Sequence, residues 1–378
     1  MIFEGGARNT DDPRSYYYDR LWHQWSWEQR LAARMLSRVL APAALLGGAA
    51  AQARNLGFAP GHLAEILARR APGSRLELFF DQNERKGIHA IINAGGLPLN
   101  ANPLKNKHRF DAAFREAGLS LPATIVSEHD ACRFDALISK PQFGSKGKGV
   151  RRFVRISGGE WRSSDGAIRL QSGDLGRWLA HERSRGRLVQ QCLAPHASVA
   201  AISPGALPTL RIVTCLDEGG VPEVTETMLR LSLAQDRAAD NFNADNLVAS
   251  VEQATGLIGP ALRRTRRGFV EHATHPATRA AIAGVRLELL EQASALAVAG
   301  HRVFSRDFAI IGWDIGLSAD GAMMIEGNWN PGVNVIQLVR GHPIAETRLG
   351  SLYRFHLQRA AEELWTAALP VQISQPLF

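Results

Sequence analysis

The chain has 378 residues, 45% hydrophobic and 21% charged, with 44 basic side chains against 36 acidic ones and a formal net charge of +8. At roughly 100 to 200 residues per domain this length allows two or three domains, and the balance excludes a disordered or collagen-like chain. Cys132, Cys192 and Cys215 stand far apart without CxxC spacing, so neither a disulfide framework nor a zinc site is indicated. All six lysines fall between Lys86 and Lys148. Either arginine is simply the default basic residue elsewhere, or this stretch meets phosphate.

Residues 1–75 read as a helical N-terminal region. Tyr16, Tyr17, Tyr18, Trp22, Trp25 and Trp27 crowd one helical stretch, which fits a helix docked on its own core, with peripheral membrane or partner contact as the alternative. The longest apolar run, from Val39, contains Pro42 and two glycines and falls short of the ~20 residues that span a bilayer. The first residues lack the apolar core of a signal peptide, so a cytoplasmic protein is expected.

From residue 76 short apolar runs alternate with Gly, Pro and Asn. A helix is expected from Lys107 to Ala117, stopped by Gly118. Strands then alternate with helices: FDALISK, VRRFVRI, a helix near GDLGRWLAHERS, then RLVQQCL, TLRIVTCL and VTETMLRLSL. A long helix is expected near THPATRAAIAGVRLELLEQASALAVAG, before the strand-rich FAIIGWDIGLSADGAMMIEGNWNPG, and a helix containing YRFHLQRAAEELWTAAL closes the chain. The layout is α+β or α/β.

Two blocks carry chemistry. FDALISKPQFGSKGKGVRRFVRI reads as a β-hairpin whose glycines at 144, 147 and 149 let backbone N–H groups turn toward an anion, beside Lys146 and Lys148. It fails the GxxxxGK[ST] template, and no helix follows, which excludes a Walker-type loop. In the second block, alternation places Asp314 on one strand face, and Glu326 and Asn328 together on a face of the next. Two carboxylates and an amide oxygen form a hard ligand set suited to Mg²⁺. Asp314 meets Glu326 without a bulge only if Ser318 is opposite Ala322, so a three-residue loop, Ala319-Asp320-Gly321, is expected, with Gly321 left-handed.

Arg211 shares its strand face with Val213 and Cys215, which implies either an anion to hold or an exposed edge strand. RLVQQCLAPH is either a hinge offering backbone and amide groups to a base or an ordinary strand exit. The loop DNFNADN, with Asn241, Asn243 and Asn246, is a substrate-loop candidate with the composition of any turn.

The order of these blocks, strand-Lys with a glycine-rich hairpin, a hinge, then Asp followed by E-x-N and P-G, resembles the ATP-grasp superfamily. Within it, ISKPQFGSKGKG, LPTLRIVT, DNFNADN and IGWDIGLSADGAMMIEGNWNPG look most like the sugar-transfer-associated ATP-grasp group, related to the α-L-glutamate ligase-like proteins. The resemblance implies an α+β ATP-grasp fold with ATP held between two subdomains. Residues 76–125 would form a pre-ATP-grasp segment, 126–193 the small nucleotide-binding subdomain with its flap, and 194–378 the C-terminal subdomain with the metal site.

By the same resemblance Lys140 holds the nucleotide phosphates, and Gly144, Ser145, Lys146, Gly147 and Lys148 form the flap. Gln190, Gln191 and Leu193 match the adenine hinge, with His196 near the ribose. Asp314, Glu326 and Asn328 match the ligands of two magnesium ions, and Asn330 joins the asparagine loop among substrate contacts. Lys107 is a further phosphate candidate, whereas Lys86 and Lys105 have no assigned role. Some amide-forming members carry an arginine where this chain has Gly312, so Arg211 or Arg306 is the expected catalytic cation.

The implied activity is a carboxylate–amine ligase, or one using another nucleophile. It works through an acylphosphate, on small-molecule or glycan-linked substrates, in surface polysaccharide modification. A non-catalytic ATP-binding scaffold and a nucleic-acid-binding protein are the alternatives, the latter resting on pI and the LRRTRR cluster.

Overall fold

The computed structural model describes residues 101–365 apart from 145–146, 234–245 and 266–267, and before them residues 69, 71–72, 79–80 and 82–93. The expected aromatic N-terminal helix lies outside the described residues.

Among the described residues, α1 (Gln82–Ile92), α2 (Lys107–Glu116) and the short α3 (Glu128–Ala131) precede the first sheet. α2 starts where the Asn106 side chain accepts the backbone N–H groups of His108 and Arg109, and it ends one residue before the expected Ala117, which caps it. The smaller sheet is antiparallel, in the order β4-β3-β2-β1-β5. Its strands are β1 (Ala136–Pro141), β2 (Arg151–Arg155), β3 (Trp161–Ser163), β4 (Arg169–Leu170) and β5 (Arg187–Gln191). α4 (Leu175–Ser184) packs Trp178 and Leu179 against Phe153 and Leu137 in one apolar cluster.

After the one-turn α5 (Ala197–Ala200) comes the larger sheet, also antiparallel, in the order β10-β9-β8-β7-β6-β11-β12. Its first five strands are β6 (Thr209–Leu216), β7 (Pro222–Leu231), β8 (Leu247–Val251), β9 (Ile258–Thr265) and β10 (Gly268–His272). α6 (Leu290–Phe304) then leads into β11 (Ile310–Ser318) and β12 (Gly321–Asn328), followed by α7 (Asn334–Arg340) and α8 (Arg348–Arg359).

Both faces of this sheet are covered. Phe114 of α2 and Ala293 and Ala297 of α6 pack on one, with Leu210, Ile212 and Trp313. On the other, Ile88 of α1, Ile336 of α7 and Leu352 and Tyr353 of α8 pack on Val213, Cys215 and Ile310. Every residue of β11 is consequently buried, and a charged residue there must find a partner inside the protein.

Two local expectations are corrected. The long helix begins only at Leu290; residues 274–289 form turns and isolated bridges, among them Thr274 with Ala281. Arg279 and Gly284 have φ of 63° and 80°, angles that no right-handed helix accommodates. The β11–β12 hairpin closes on Ser318 opposite Gly321, leaving the two-residue loop Ala319-Asp320 rather than three residues. Asp314 still meets Glu326, because a bulge at Ile325 shifts the register by one residue between Asp314 and Ile315. Gly321 has φ of 102°, as a residue closing the ladder.

Candidate active site

A cavity of about 540 Å³ opens between the two sheets. Lys140, Gly144, Gly147, Lys148, Gln190, Gln191 and Leu193 line it from the smaller sheet, and Thr209, Arg230, Asp314, Ile325 and Glu326 from the larger. A second cavity of about 290 Å³ shares Lys107, Gly144 and Glu326 with the first and adds Lys105, Asn328 and Trp329. The Lys105 ammonium lies 4.6 Å from the centre of the Trp329 ring.

Lys140 is buried near the end of β1, and that burial pushes its ammonium down to about 8, with Lys107 adding to the shift and the charges of Glu326 and Asp111 opposing it. The glycine-rich loop that follows is pinned at both shoulders by cations. Lys107 Nζ donates to the Gly144 carbonyl at 2.9 Å, and Arg187 Nη2 donates to the Gly149 carbonyl at 2.7 Å. Arg187 also binds Ser139 and is paired with the buried Glu182 at 2.7 Å, so the stem of the hairpin is anchored in the small-sheet core. Ser145 and Lys146 lie outside the described residues.

The hinge glutamines have internal partners. Gln190 Nε2 donates to Asp111 at 3.0 Å, and Gln191 Oε1 accepts the Ala123 N–H at 2.9 Å. His196 is not among the lining residues; its Nδ1 caps α5, lying 2.8 Å from the Ser198 hydroxyl.

Across the cleft, Asp314 and Glu326 are directly paired on β11 and β12. Arg211, opposite Asp314 on β6, grips it with two bonds of 2.6 and 3.0 Å, and Arg230 on β7 adds a third contact at 3.2 Å. β6 lies inside the sheet, so the edge-strand explanation of Arg211 is excluded. Burial works against the Asp314 carboxylate, but the two guanidiniums outweigh it and hold its pKa below the ordinary value. Burial and the Asp314 charge push Glu326 up, against the pull of Lys107, Lys140 and Arg211.

This donor set fits a magnesium ion. Two like-charged carboxylates face each other, Asp314 Oδ1 keeps a lone pair beyond the bond from Arg211, and Asn328 lines the second cavity beside Glu326. Among the described residues no group of three or more His, Cys, Asp or Glu side chains is arranged to hold a metal. A metal held by this carboxylate pair would take its remaining ligands from the Asn328 amide oxygen, phosphate and water.

Other expected residues lie elsewhere. Arg306 is exposed on the turn before β11 and is not among the lining residues. Asn246 is fully buried, accepting the Leu233 N–H at 3.2 Å, while Asn241 and Asn243 lie outside the described residues. Asn330 is bonded to Arg85 and His89 behind the cleft. Sequence reasoning missed Arg230 and Asp111. The available signal for Arg230 was the one that marked Arg211, a guanidinium within an apolar strand; Asp111 gave none.

The family described as sugar-transfer associated ATP-grasp matches residues 98–350. The chain therefore belongs to that family, and its two antiparallel sheets with flanking helices form an ATP-grasp fold of the α+β class. Among solved structures, similarity is found to an ATP-grasp ligase PsnB complexed with minimal precursor (14% identity, TM-score 0.36, 70% of this chain and 64% of that one). It is also found to the ADP complex of purK, an N5-carboxyaminoimidazole ribonucleotide synthetase (11%, 0.34, 62% and 47%), and to an L-amino acid ligase from Bacillus licheniformis (14%, 0.34, 64% and 44%). The chain thus spans less than two thirds of each, and similarity at this level assigns it no activity. A search of curated protein sequences finds no match. Among the described residues no helix is long and apolar enough to cross a membrane.

Proposed function

We propose that the chain is an ATP- and Mg²⁺-dependent ligase that joins a carboxylate to an amine or another nucleophile. The carboxylate oxygen attacks the γ-phosphorus, ADP leaves, and the acylphosphate forms. The nucleophile then attacks its carbonyl carbon, loses a proton and expels phosphate. The observation that carries this reading is the convergence of Lys140, the glycine-rich loop and the opposed pair Asp314–Glu326 on one cavity.

In this reading residues 126–193 hold the nucleotide from one side and 194–378 from the other. The ammonium of Lys140 and the N–H groups of the loop carrying Gly144, Gly147 and Lys148 hold the phosphates, and Lys107 steadies that loop through Gly144. The hinge at Gln190, Gln191 and Leu193 presents backbone groups to the base, since both glutamine amides are engaged within the protein. Asp314, Glu326 and Asn328 would hold two magnesium ions, which when bound supply positive charge against the phosphate oxygens. Arg211 keeps Asp314 ionised and oriented.

The second cavity receives the carboxylate donor. It meets the nucleotide cavity at Glu326 and Gly144, and Lys105 and Lys107 give it the positive charge that an anionic substrate needs. We take the substrate to be a surface polysaccharide or its precursor, a step that rests on the family description alone, and the site of action to be the cytoplasm, where ATP is available. Screening amino acids and sugar acids for Mg²⁺-dependent ADP release, with Glu326→Gln as control, tests the reading. A substrate pair that raises ADP release above that control supports it; ATP binding without turnover for any pair leaves a scaffold.

A further inference from the structure

Arg85, His89 and Asn93 recur every fourth residue on α1 and at its C-terminal end, so they share one helix face. All three are buried, at 4%, 0% and 0% exposure. None lines either cavity, and none belongs to the stretch that matches the family. Yet each reaches the segment that directly follows the candidate metal strand.

Arg85 Nη1 donates to the carbonyls of Asn330 and Pro331, at 2.9 and 3.1 Å, and to the Asn330 side-chain oxygen. His89 Nδ1 lies 2.9 Å from that same oxygen, and its Nε2 lies 2.7 Å from the Tyr353 hydroxyl. An oxygen facing the Arg85 guanidinium accepts, so His89 donates from Nδ1 and its Nε2 accepts the Tyr353 O–H. Burial, together with Arg85, keeps the imidazole neutral, as this arrangement requires. Asn93 Nδ2 donates to the Trp329 carbonyl and to that of Ile310 at 2.9 Å, while its Oδ1 accepts the Ile310 N–H at 3.0 Å. One side chain thereby joins the start of β11 to the end of β12.

We propose that Arg85, His89 and Asn93 are positioning residues for the metal site, holding residues 329–331 so that Asn328 and the Trp329 wall keep their places. This rests on the reading of Asp314, Glu326 and Asn328 as metal ligands. Buried hydrogen bonds behind a ligand set orient it, and a helix-borne brace is more rigid than a loop. A purely structural stripe would affect unfolding alone, whereas a brace also affects metal affinity.

The test is Mn²⁺ binding in the presence of ATP, followed by electron paramagnetic resonance on the full chain, with thermal unfolding measured in parallel. His89→Phe keeps the ring volume and removes both hydrogen bonds; it is expected to weaken Mn²⁺ binding about tenfold or more. ATP affinity at saturating Mg²⁺ stays near the wild-type value. His89→Asn, which can still donate to Asn330, recovers most of the loss. If His89→Phe does not fold, Tyr353→Phe removes only the hydroxyl that orients His89 and is expected to shift Mn²⁺ binding in the same direction by less. Wild-type Mn²⁺ affinity in whichever variant folds overturns the proposal, provided that Glu326→Gln abolishes binding. If Glu326→Gln binds Mn²⁺ as the wild type does, the metal-site reading falls first and the brace with it.

Discussion

Asp314 stands directly opposite Glu326 because β12 carries one extra residue, Ile325, that restores a register the short hairpin loop had offset. The buried Asp314 and the half-buried Glu326 repel each other across neighbouring strands, and desolvation with the Asp314 charge holds Glu326 above its ordinary pKa. A raised carboxyl pKa means that the folded state binds this proton more tightly, so stability falls as pH rises from the ordinary glutamate value through the folded one.

Glu326→Gln therefore separates function from stability. ATP turnover is expected to fall about 100-fold or more, the scale of losing a charge-stabilising group. Its melting temperature at pH 7 is expected to equal or exceed that of the wild type. Calorimetric unfolding beside a turnover assay checks both, and a marked drop in melting temperature would contradict the electrostatic account.

Lys140, at about 8, predicts the pH dependence of the free enzyme. With the ammonium holding phosphate as proposed, kcat/KM for ATP is expected to decline as pH rises through about 8, while kcat, which reports the phosphate-bound state, holds to higher pH. The stability sign is the opposite. A depressed lysine pKa penalises the fold at low pH, and the penalty is relieved as pH rises from about 8 toward the ordinary lysine value. Lys140→Met removes both dependences.

Arg211 and Arg306 separate cleanly. Arg211→Ala breaks a two-bond buried contact with Asp314, costing about 3 kcal/mol, the lower end for a buried pair because Arg230 remains. Arg211→Lys keeps the charge without the planar fork and recovers only part. Arg306→Ala, at an exposed turn, is expected to stay within about 0.5 kcal/mol of wild type. Urea unfolding and steady-state turnover on the three variants are the check.

Gly312 occupies a place with no room for a side chain. A Cβ there would lie 2.5 Å from the Pro331 Cβ, on a ring that cannot swing aside. Gly312→Ala is expected to cost about 1–3 kcal/mol through overpacking. Gly312→Arg would destabilise further rather than supply a catalytic cation. A stable Gly312→Arg protein with higher amide-forming turnover would show that the strand yields there.

What was legible in the sequence was local. Lys140 with its glycine-rich loop, and Asp314 followed by Glu326, are short patterns, and the structure brings them to one cavity, with Asn328 lining the adjoining one. What was not legible depends on distant partners. Arg230 reaches Asp314 from two strands away, Asp111 meets Gln190 across a helix–strand contact, and the α1 stripe meets a loop more than 200 residues later. Alternation cannot register a single bulged residue, so the pattern indicates a three-residue loop where the chain makes a two-residue one. TRAAIAGVRLELL has helix-forming composition, but Arg279 and Gly284 take positive φ, and the segment is tied to distant residues through His275 at the Ser232 carbonyl and Thr278 at the Ala201 carbonyl. Lys107, a phosphate candidate only by membership of the lysine cluster, is bonded to the loop at Gly144.

In the proposed mechanism the cavity between the sheets binds ATP through Lys140 and a metal held by Asp314 and Glu326. Isothermal titration of ATP into the full chain, with and without Mg²⁺, tests it most directly when repeated on Lys140→Ala and Glu326→Gln. One ATP per chain is expected to bind, dependent on Mg²⁺, with affinity reduced about tenfold or more in each variant. ATP binding that is equally tight without Mg²⁺ and unchanged in both variants would contradict it.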